Sequence, residues 1–229
     1  MKGSIVGLIP IKGSSERVPN KNLREFHGKS LFELKLDQLS QAKGFDKIIV
    51  SSESKKVLDI ARSNGFDIHG RDPKYSTSEV PMSEVYSYIA SEIEGDNIAW
   101  INATNPLADS NLYSEATELY RGMKSNYDCL LSAVEVQENI FYKGVPVNFS
   151  PYPWPRSQDL KGLCSLTFVI NILKRTDMID WGSCVGDSPY FYYMNKLDSW
   201  DIDTQEDFDF CEMMYSQRLI QESKDISDK

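Results

Sequence analysis

Two stretches of this chain carry residue types and spacings that can do chemistry. The first runs Lys12-Gly13-Ser14-Ser15-Glu16-Arg17-Val18-Pro19-Asn20-Lys21-Asn22. Lys12, Arg17 and Lys21 stand there against the single anion Glu16, in a chain whose 25 Lys plus Arg face 34 Asp plus Glu, a net charge of −9. Gly13, Ser14 and Ser15 offer backbone N–H groups and hydroxyls, the donors that cradle phosphate oxygens. The three cations can neutralise a polyphosphate. The second stretch is Asp201-Ile202-Asp203. Alternate residues of an extended segment point the same way, so these two carboxylates can hold Mg²⁺ against phosphate oxygens. Each feature has a plainer account: a solvated loop with ordinary charges, or an aspartate that caps the next helix. Together they point to phosphate chemistry.

The elements that must position these residues follow from hydrophobic period. Residues 5–11 form a continuous apolar run, as in a strand buried on both faces. The loop 12–29 leaves its carboxyl end, where open α/β sheets bind ligands. Ser30-Leu31-Phe32-Glu33 is a capping box that starts a helix with Phe32, Leu36 and Leu39 on one face. Strands are predicted at 46–50, 66–69, 98–101, 129–136, 167–173 and 190–194. Helices are predicted at 54–63, at 82–94 with a stripe of Met82, Tyr86, Ile89 and Ile93, and at 110–124. A last helix follows Asp203, capped by Thr204 and Asp207, with Phe208, Cys211, Tyr215 and Leu219 as its stripe. This alternation predicts a three-layer α/β fold, a mainly parallel sheet with helices on both faces, in a single domain over residues 1–229. Residues 137–160 break the pattern. Four prolines and several aromatics (Phe141, Tyr142, Phe149, Trp154) mark an excursion that packs as a surface loop or as an oligomer contact.

Composition narrows the classes. The acidic balance argues against a nucleic-acid binder. There is no run of 18 apolar residues to cross a membrane, and the first apolar run lacks the cleavage signal of a secretory leader. Cys129, Cys164, Cys184 and Cys211 have no zinc or disulfide spacing, so reduced thiols and a cytoplasmic location are expected. Gly28-Lys29-Ser30 imitates the end of a Walker motif but has Leu23 where the earlier glycine belongs, and no G-x-G-x-x-G is present. His27 and His69 suggest no catalytic arrangement.

At this resolution of motifs the sequence resembles the acylneuraminate cytidylyltransferases, the CMP-sialic acid synthetases and their relatives for Kdo, pseudaminic and legionaminic acids. The likeness rests on Ile9-Pro10 through Asn22 followed by Gly28-Lys29-Ser30-Leu31, then Ser51-Ser52-Glu53-Ser54, Arg71-Asp72-Pro73 and Thr104-Asn105-Pro106-Leu107. Arg156-Ser157-Gln158-Asp159-Leu160 and Asp201-Ile202-Asp203-Thr204 complete it, in order, over about residues 5–212. The resemblance implies a nucleotide-diphospho-sugar transferase-like fold and a Mg²⁺-dependent transfer of CMP from CTP to a 2-keto sugar acid. It implies that Gly13, Ser14, Ser15, Arg17 and Lys21, with Lys12, wrap the triphosphate. Asn22 and Arg71 would contact cytosine or ribose, and Asn102 and Thr104 would lie near nucleotide and sugar. Asp201 and Asp203 would bind the metal, with Arg17, Lys21 and Asp203 as the catalytic set. The excursion would be a dimerisation segment of a homodimer, placing Arg156, Gln158 and Asp159 near the partner's sugar site.

Departures from the family pattern fall in the first loop and beyond it, and the most telling lies on the sugar half. Lys12 replaces an arginine and loses its bidentate fork. Glu16 replaces a lysine, and a carboxylate about 6 Å from a phosphate charge costs roughly 3 kcal/mol at an effective dielectric near 20. Asn102 stands for glutamine, Ala108 for arginine, Ser78 near an expected aspartate, and Phe168 for a glycine. Sialic acid itself is therefore disfavoured as acceptor. The competing readings are a nucleotide-binding relative without turnover, and a GT-A-like glycosyltransferase. The late position of the DxD disfavours the latter.

Overall fold

The computed structural model describes residues 3–13 and 18–227. Ile5–Pro10 forms β1, and its pleat serves two cores at once. Ile5 and Ile9 join one buried cluster while Val6 and Leu8 join the other. Such a strand must lie inside a sheet covered on both faces. The remaining strands of the sheet are β2 (Lys47–Ser52), β3 (Asp67–Gly70), β4 (Asn97–Trp100), β5 (Cys129–Glu135), β6 (Cys164–Lys174) and β7 (Pro189–Tyr193). Their spatial order is β7-β5-β6-β4-β1-β2-β3. Pairing is parallel for β3 with β2, β2 with β1, β1 with β4 and β7 with β5, whereas β6 runs antiparallel to both β4 and β5. The expected mainly parallel three-layer α/β fold is therefore present, with one reversed strand near its middle.

Helices cover both faces. On one side α1 (Leu31–Gln41), α2 (Lys55–Ser63) and α4 (Ser110–Gly122) bury Phe32, Leu36, Leu39, Val57, Ala61, Tyr113, Ala116 and Tyr120. On the other, α3 (Met82–Glu92) and α5 (Arg175–Trp181) bury Val85, Ile89, Ala90 and Met178. A third cluster seats α6 (Gln205–Ser227) through Phe208 and Cys211 against Phe26, Leu31, Leu34, Leu107 and Ile202. The capping boxes form as expected. The Ser30 hydroxyl accepts from the Glu33 N–H at 3.2 Å while Glu33 accepts from the Ser30 N–H at 3.0 Å. At α6, Asp207 Oδ2 accepts from the N–H and the hydroxyl of Thr204, both at 2.8 Å.

Some details differ from the sequence reading. The loop 12–29 contains a two-stranded hairpin, Glu25–Phe26 with Lys29–Ser30, closed by His27 and Gly28 at φ 52° and 80°. Lys143 and Gly144, at φ 50° and 83°, close a second one, Phe141–Tyr142 with Val145–Pro146, inside the excursion. Both are two-residue turns with left-handed central residues, which match the twist of a hairpin. Helix α5 was not expected. In α3 the stripe splits: Ile89 is buried, Met82 and Tyr86 turn toward a cavity, and Ile93 already lies past the helix end. The four cysteines are free, three of them buried.

Candidate active site

The strand order reverses between β1 and β4, and open α/β sheets bind ligands in the crevice outside the carboxyl ends of the strands at such a switch point. Here the segment after β1 supplies Pro10, Lys12, Lys21 and Asn22, and that after β4 supplies Asn102, Ala103 and Thr104. Together with Asp201, Asp203 and residues 76–79 they line a cavity of about 790 Å³. A smaller cavity of about 340 Å³ shares Pro10, Lys12, Thr77, Met82 and Asn102. It continues along an aromatic wall of Tyr75, Tyr86, Trp100 and Phe168, with Arg71 at its edge.

The carboxylate pair is set by tertiary ties from the loop after β4. Ile202 is fully buried and its N–H donates to the Thr104 carbonyl at 2.9 Å. With Ile202 turned into the core, Asp201 and Asp203 both border the cavity. Asn105 is itself buried and donates to the carbonyls of Ser199 at 3.1 Å and Trp200 at 3.3 Å, fixing the approach to the pair. Lys21 donates to the Ile202 carbonyl and lies 3.9 Å from Asp203. Burial raises the Asp201 carboxyl above the ordinary range, against a hydrogen bond from Thr104 and the charge of Lys21. Its Oδ1 is buried without a hydrogen-bond partner, as is Oδ1 of Asn22. Buried acceptors left unmatched are costly, so both oxygens call for a donor or a cation from a bound ligand. Two carboxylates with an unmatched buried oxygen are a hard donor set of the kind that suits Mg²⁺ completed by waters and phosphate oxygens. Among the described residues no cluster of three or more His, Cys, Asp or Glu forms a self-sufficient metal cage.

The other expected residues sort as follows. Lys12, Lys21, Asn22, Asn102, Thr104, Asp201 and Asp203 come together at one cleft. Gly13 lies against Glu53 and Ser54, just past the end of β2, and its N–H donates to Glu53 at 2.7 Å. Arg71 lies at the smaller cavity but is almost fully buried. Its guanidinium donates to the Ile11 carbonyl at 2.5 Å and to Glu53 at 3.1 Å, which makes it part of the wall. Ser14, Ser15, Glu16 and Arg17 lie outside the described residues. Arg156 and Asp159 form a bidentate pair with each other at 2.7 and 2.8 Å on an exposed turn with Gln158, and none of the three borders the cleft of its own chain. Sequence reading gave no role to Glu53, although it directly follows a strand that ends beside the first loop. It also did not anticipate Trp100 and Tyr86 as cavity wall. Phe168 sits at φ 53° in a bulge where the β5–β6 register shifts. That is the left-handed region where glycine costs nothing, and the aromatic side chain it carries instead faces the cavity.

The family model for Cytidylyltransferase matches residues 6–226. The chain belongs to the cytidylyltransferase family. Among known relatives, N-acylneuraminate cytidylyltransferase A of Danio rerio is 28% identical over 222 residues, covering 91% of this chain and 50% of that protein. The pseudaminic acid cytidylyltransferase of Campylobacter jejuni is 26% identical over 136 residues, covering 57% of this chain and 58% of that protein. The chain spans about half the length of the curated relatives it matches. A solved CMP:2-keto-3-deoxy-manno-octonic acid synthetase complexed with CTP shares the fold at a TM-score of 0.69 and 12% identity, covering 94% of this chain and 99% of its own. In this cytidylyltransferase-family chain no helix among the described residues is long and apolar enough to cross a membrane.

Proposed function

We propose that this chain couples CTP to a 2-keto sugar acid, a nonulosonic acid or a relative, giving a CMP-sugar and pyrophosphate. The observation that carries the reading is the convergence of Lys21, Asp201 and Asp203 with Lys12, Asn22, Asn102 and Thr104 on one cavity at the sheet's switch point. In the reaction the acceptor's anomeric hydroxyl oxygen bonds to the α-phosphorus of CTP. The bond to the bridging oxygen of the β-phosphate breaks, pyrophosphate carries that electron pair away, and the hydroxyl proton is released. Mg²⁺ held by Asp201 and Asp203 would supply charge neutralisation at the phosphates. Lys21 orients Asp203 and adds positive charge beside it. Lys12, with Arg17, Ser14 and Ser15 of the first loop, holds the triphosphate so that the nucleophile can approach in line. Asn102 and Thr104 offer polar contacts between nucleotide and acceptor. The Phe168 ring occupies space in the smaller cavity, which favours a compact acceptor.

The partner belonging to this reading is a second copy of the chain. Within the excursion Phe141, Phe149 and Trp154 pack on one another at ring-centroid distances of 5.2 and 5.3 Å, yet Tyr142, Tyr152 and Trp154 remain largely exposed. Covering that aromatic face in a homodimer would bring Arg156, Gln158 and Asp159 to the other copy's acceptor site. A cytoplasmic location belongs to the same proposal.

The test is thermal stability with Mg²⁺ and CTP, UTP, ATP or GTP, followed by pyrophosphate release across a panel of sugar acids. A ligand at 100 times its dissociation constant stabilises by about 2.7 kcal/mol, a shift of several degrees for a chain of this size. A shift selective for CTP with turnover on a 2-keto sugar acid is expected. A larger shift with another nucleotide would overturn the base assignment. CTP binding without pyrophosphate release across the panel would favour a non-catalytic relative. Near-normal turnover in both Asp203→Asn and Arg17→Ala would remove those residues from the catalytic set.

A further inference from the structure

Glu53 follows β2 directly and does not border either cavity, yet three separate segments of cavity wall donate to its carboxylate. Oε1 accepts from the backbone N–H of Gly13 at 2.7 Å. Oε2 accepts from the Ser76 hydroxyl at 2.7 Å and from the Arg71 guanidinium at 3.1 Å. The same Arg71 nitrogen reaches the Ile11 carbonyl at 2.5 Å, and the Arg71 N–H donates to the Ser52 carbonyl at 2.9 Å. A closed ring of contacts thus joins the start of the first loop, the end of β2, Arg71 and the turn at 73–76. Lys12 on one side of this ring and Ser76 and Thr77 on the other border the large cavity, and Arg71 and Tyr75 border the small one.

The chemistry at the hub fits a carboxylate. It must accept from an amide, a hydroxyl and a guanidinium while donating nothing, which an ionised carboxyl does with its two oxygens. It also pairs the buried Arg71 charge, whose loss of a partner would be costly. Burial acts to raise the Glu53 carboxyl, but the hydrogen bonds from Gly13, Ser76 and Arg71 outweigh it and hold it below the usual range. The first loop approaches closely. A Cβ on Gly13 would meet Cβ of Ser54 at 2.6 Å and Oε1 of Glu53 at 3.3 Å, so only glycine permits this contact.

We propose that Glu53 is a positioning residue that fixes the separation between the first loop and the Arg71–Thr77 wall, so that the nucleotide meets a cavity already formed. This rests on the reading of the cleft as a CTP site. Preorganisation of this kind lowers the ordering cost of binding, and Glu53 stands apart from Lys21 and Asp203, where the bond changes. Its loss therefore acts on nucleotide affinity more than on turnover.

The experiment compares wild type, Glu53→Gln and Glu53→Asp for CTP affinity by titration, for KM and kcat, and for amide hydrogen exchange at Gly13. Ile101, whose N–H donates to the Leu8 carbonyl in the core at 2.9 Å, is the internal reference. Glu53→Gln should weaken CTP binding about tenfold, with the loss in KM and little change in kcat, and should speed exchange at Gly13 while Ile101 stays protected. Glu53→Asp keeps the charge for Arg71 with a shorter reach, and should recover part of the affinity. Unchanged affinity in Glu53→Gln, or a loss confined to kcat, overturns the proposal. Should Glu53→Gln not fold, Glu53→Asp decides: wild-type affinity with unaltered Gly13 exchange overturns it. Failure of wild type itself to bind CTP sinks both this inference and the function it rests on. Normal binding by wild type and variants alike sinks this inference alone.

Discussion

The cleft and the excursion are held together in opposite ways. At the cleft, partners are far apart in sequence: Lys21 reaches residues 202 and 203, Asn105 reaches 199 and 200, and Arg71 reaches Ile11. In the excursion most ties are local. Asn148 bonds Glu138 and Ile140, Arg156 bonds Asp159, and Lys196 to Glu138 at 3.0 Å is an exposed link to the rest of the chain. Long-range ties made inside a packed core fix a geometry without help. Local ties on an exposed segment fix only the segment's own shape. The difference implies that the walls of the cleft are set within one chain, whereas the excursion, with the acceptor contacts proposed for it, gains its placement from whatever covers it.

The strongest way to break this contrast is Lys21→Ala. It removes the cation that aligns Asp203, and turnover measured by pyrophosphate release should fall about 100-fold. A fall of less than a few fold would mean that the cleft's long-range ties do not serve the reaction. Asn105→Ala comes next. It strips two donors from buried carbonyls and should cost about 2 kcal/mol in denaturant unfolding, with weaker CTP binding as the Asp201 segment loosens. Unchanged stability would show that the Ile202–Thr104 contact alone suffices.

Lys35 sharpens the same point through pH. It is fully buried on α1, donating to the Asn105 carbonyl at 2.9 Å and to the Tyr113 hydroxyl at 2.5 Å. Burial brings its amine down to about 7 from 10.5, against the charge of Asp109. Above that value the unfolded chain holds a proton that the folded chain has released. Stability should therefore rise with pH between about 7 and 10.5, by on the order of 1 kcal/mol per unit from this group. Thermal melts across that range should show a shallower slope in Lys35→Met, and equal slopes would reject the assignment. Least affected in its own stability should be the excursion. Tyr152→Ser with Trp154→Ser should shift the chain's sedimentation toward monomer, and lower its melting midpoint only by what the lost partner contributed. A monomeric wild type would refute the homodimer.

The same division decided what the sequence could reveal. Apolar runs and capping boxes are local signals, so every strand of the sheet and five of the helices were legible within a few residues. Helix α5 follows β6 without a break, and its N-cap is Lys174, which makes no side-chain cap. Only Gly182, left-handed at φ 56°, marks its end. The reversal of β6 was hidden as well, though the lack of a helix between β5 and β6 was the available clue. Lys12, Lys21, Asn22, Asn102, Thr104, Asp201 and Asp203 were named from sequence and share the cleft. Arg71, named from sequence as a nucleotide contact, borders the smaller cavity while one of its nitrogens is held by Glu53 and Ile11. Nothing in a linear reading shows that one carboxylate collects donors from residues 13, 71 and 76, because that ring exists only once three strands are side by side.

The reversed strand has a consequence for how such a molecule can change. Because β6 returns antiparallel to β5, with Cys164 opposite Glu135, the segment between them is a long hairpin connection and needs no crossover. It leaves and re-enters the sheet on the same side as the carboxyl ends of β1 and β4. The entropy of closing such a loop grows only slowly, by about 0.6 kcal/mol for each doubling of length. Residues 137–159 can thus be lengthened or shortened at small loop-closure cost to the sheet, whereas Leu160, 3% exposed, is held in the core. If the proposed function holds, the scaffold offers a replaceable insert on a fixed nucleotide site, an arrangement in which acceptor choice can drift while the handling of phosphate stays put.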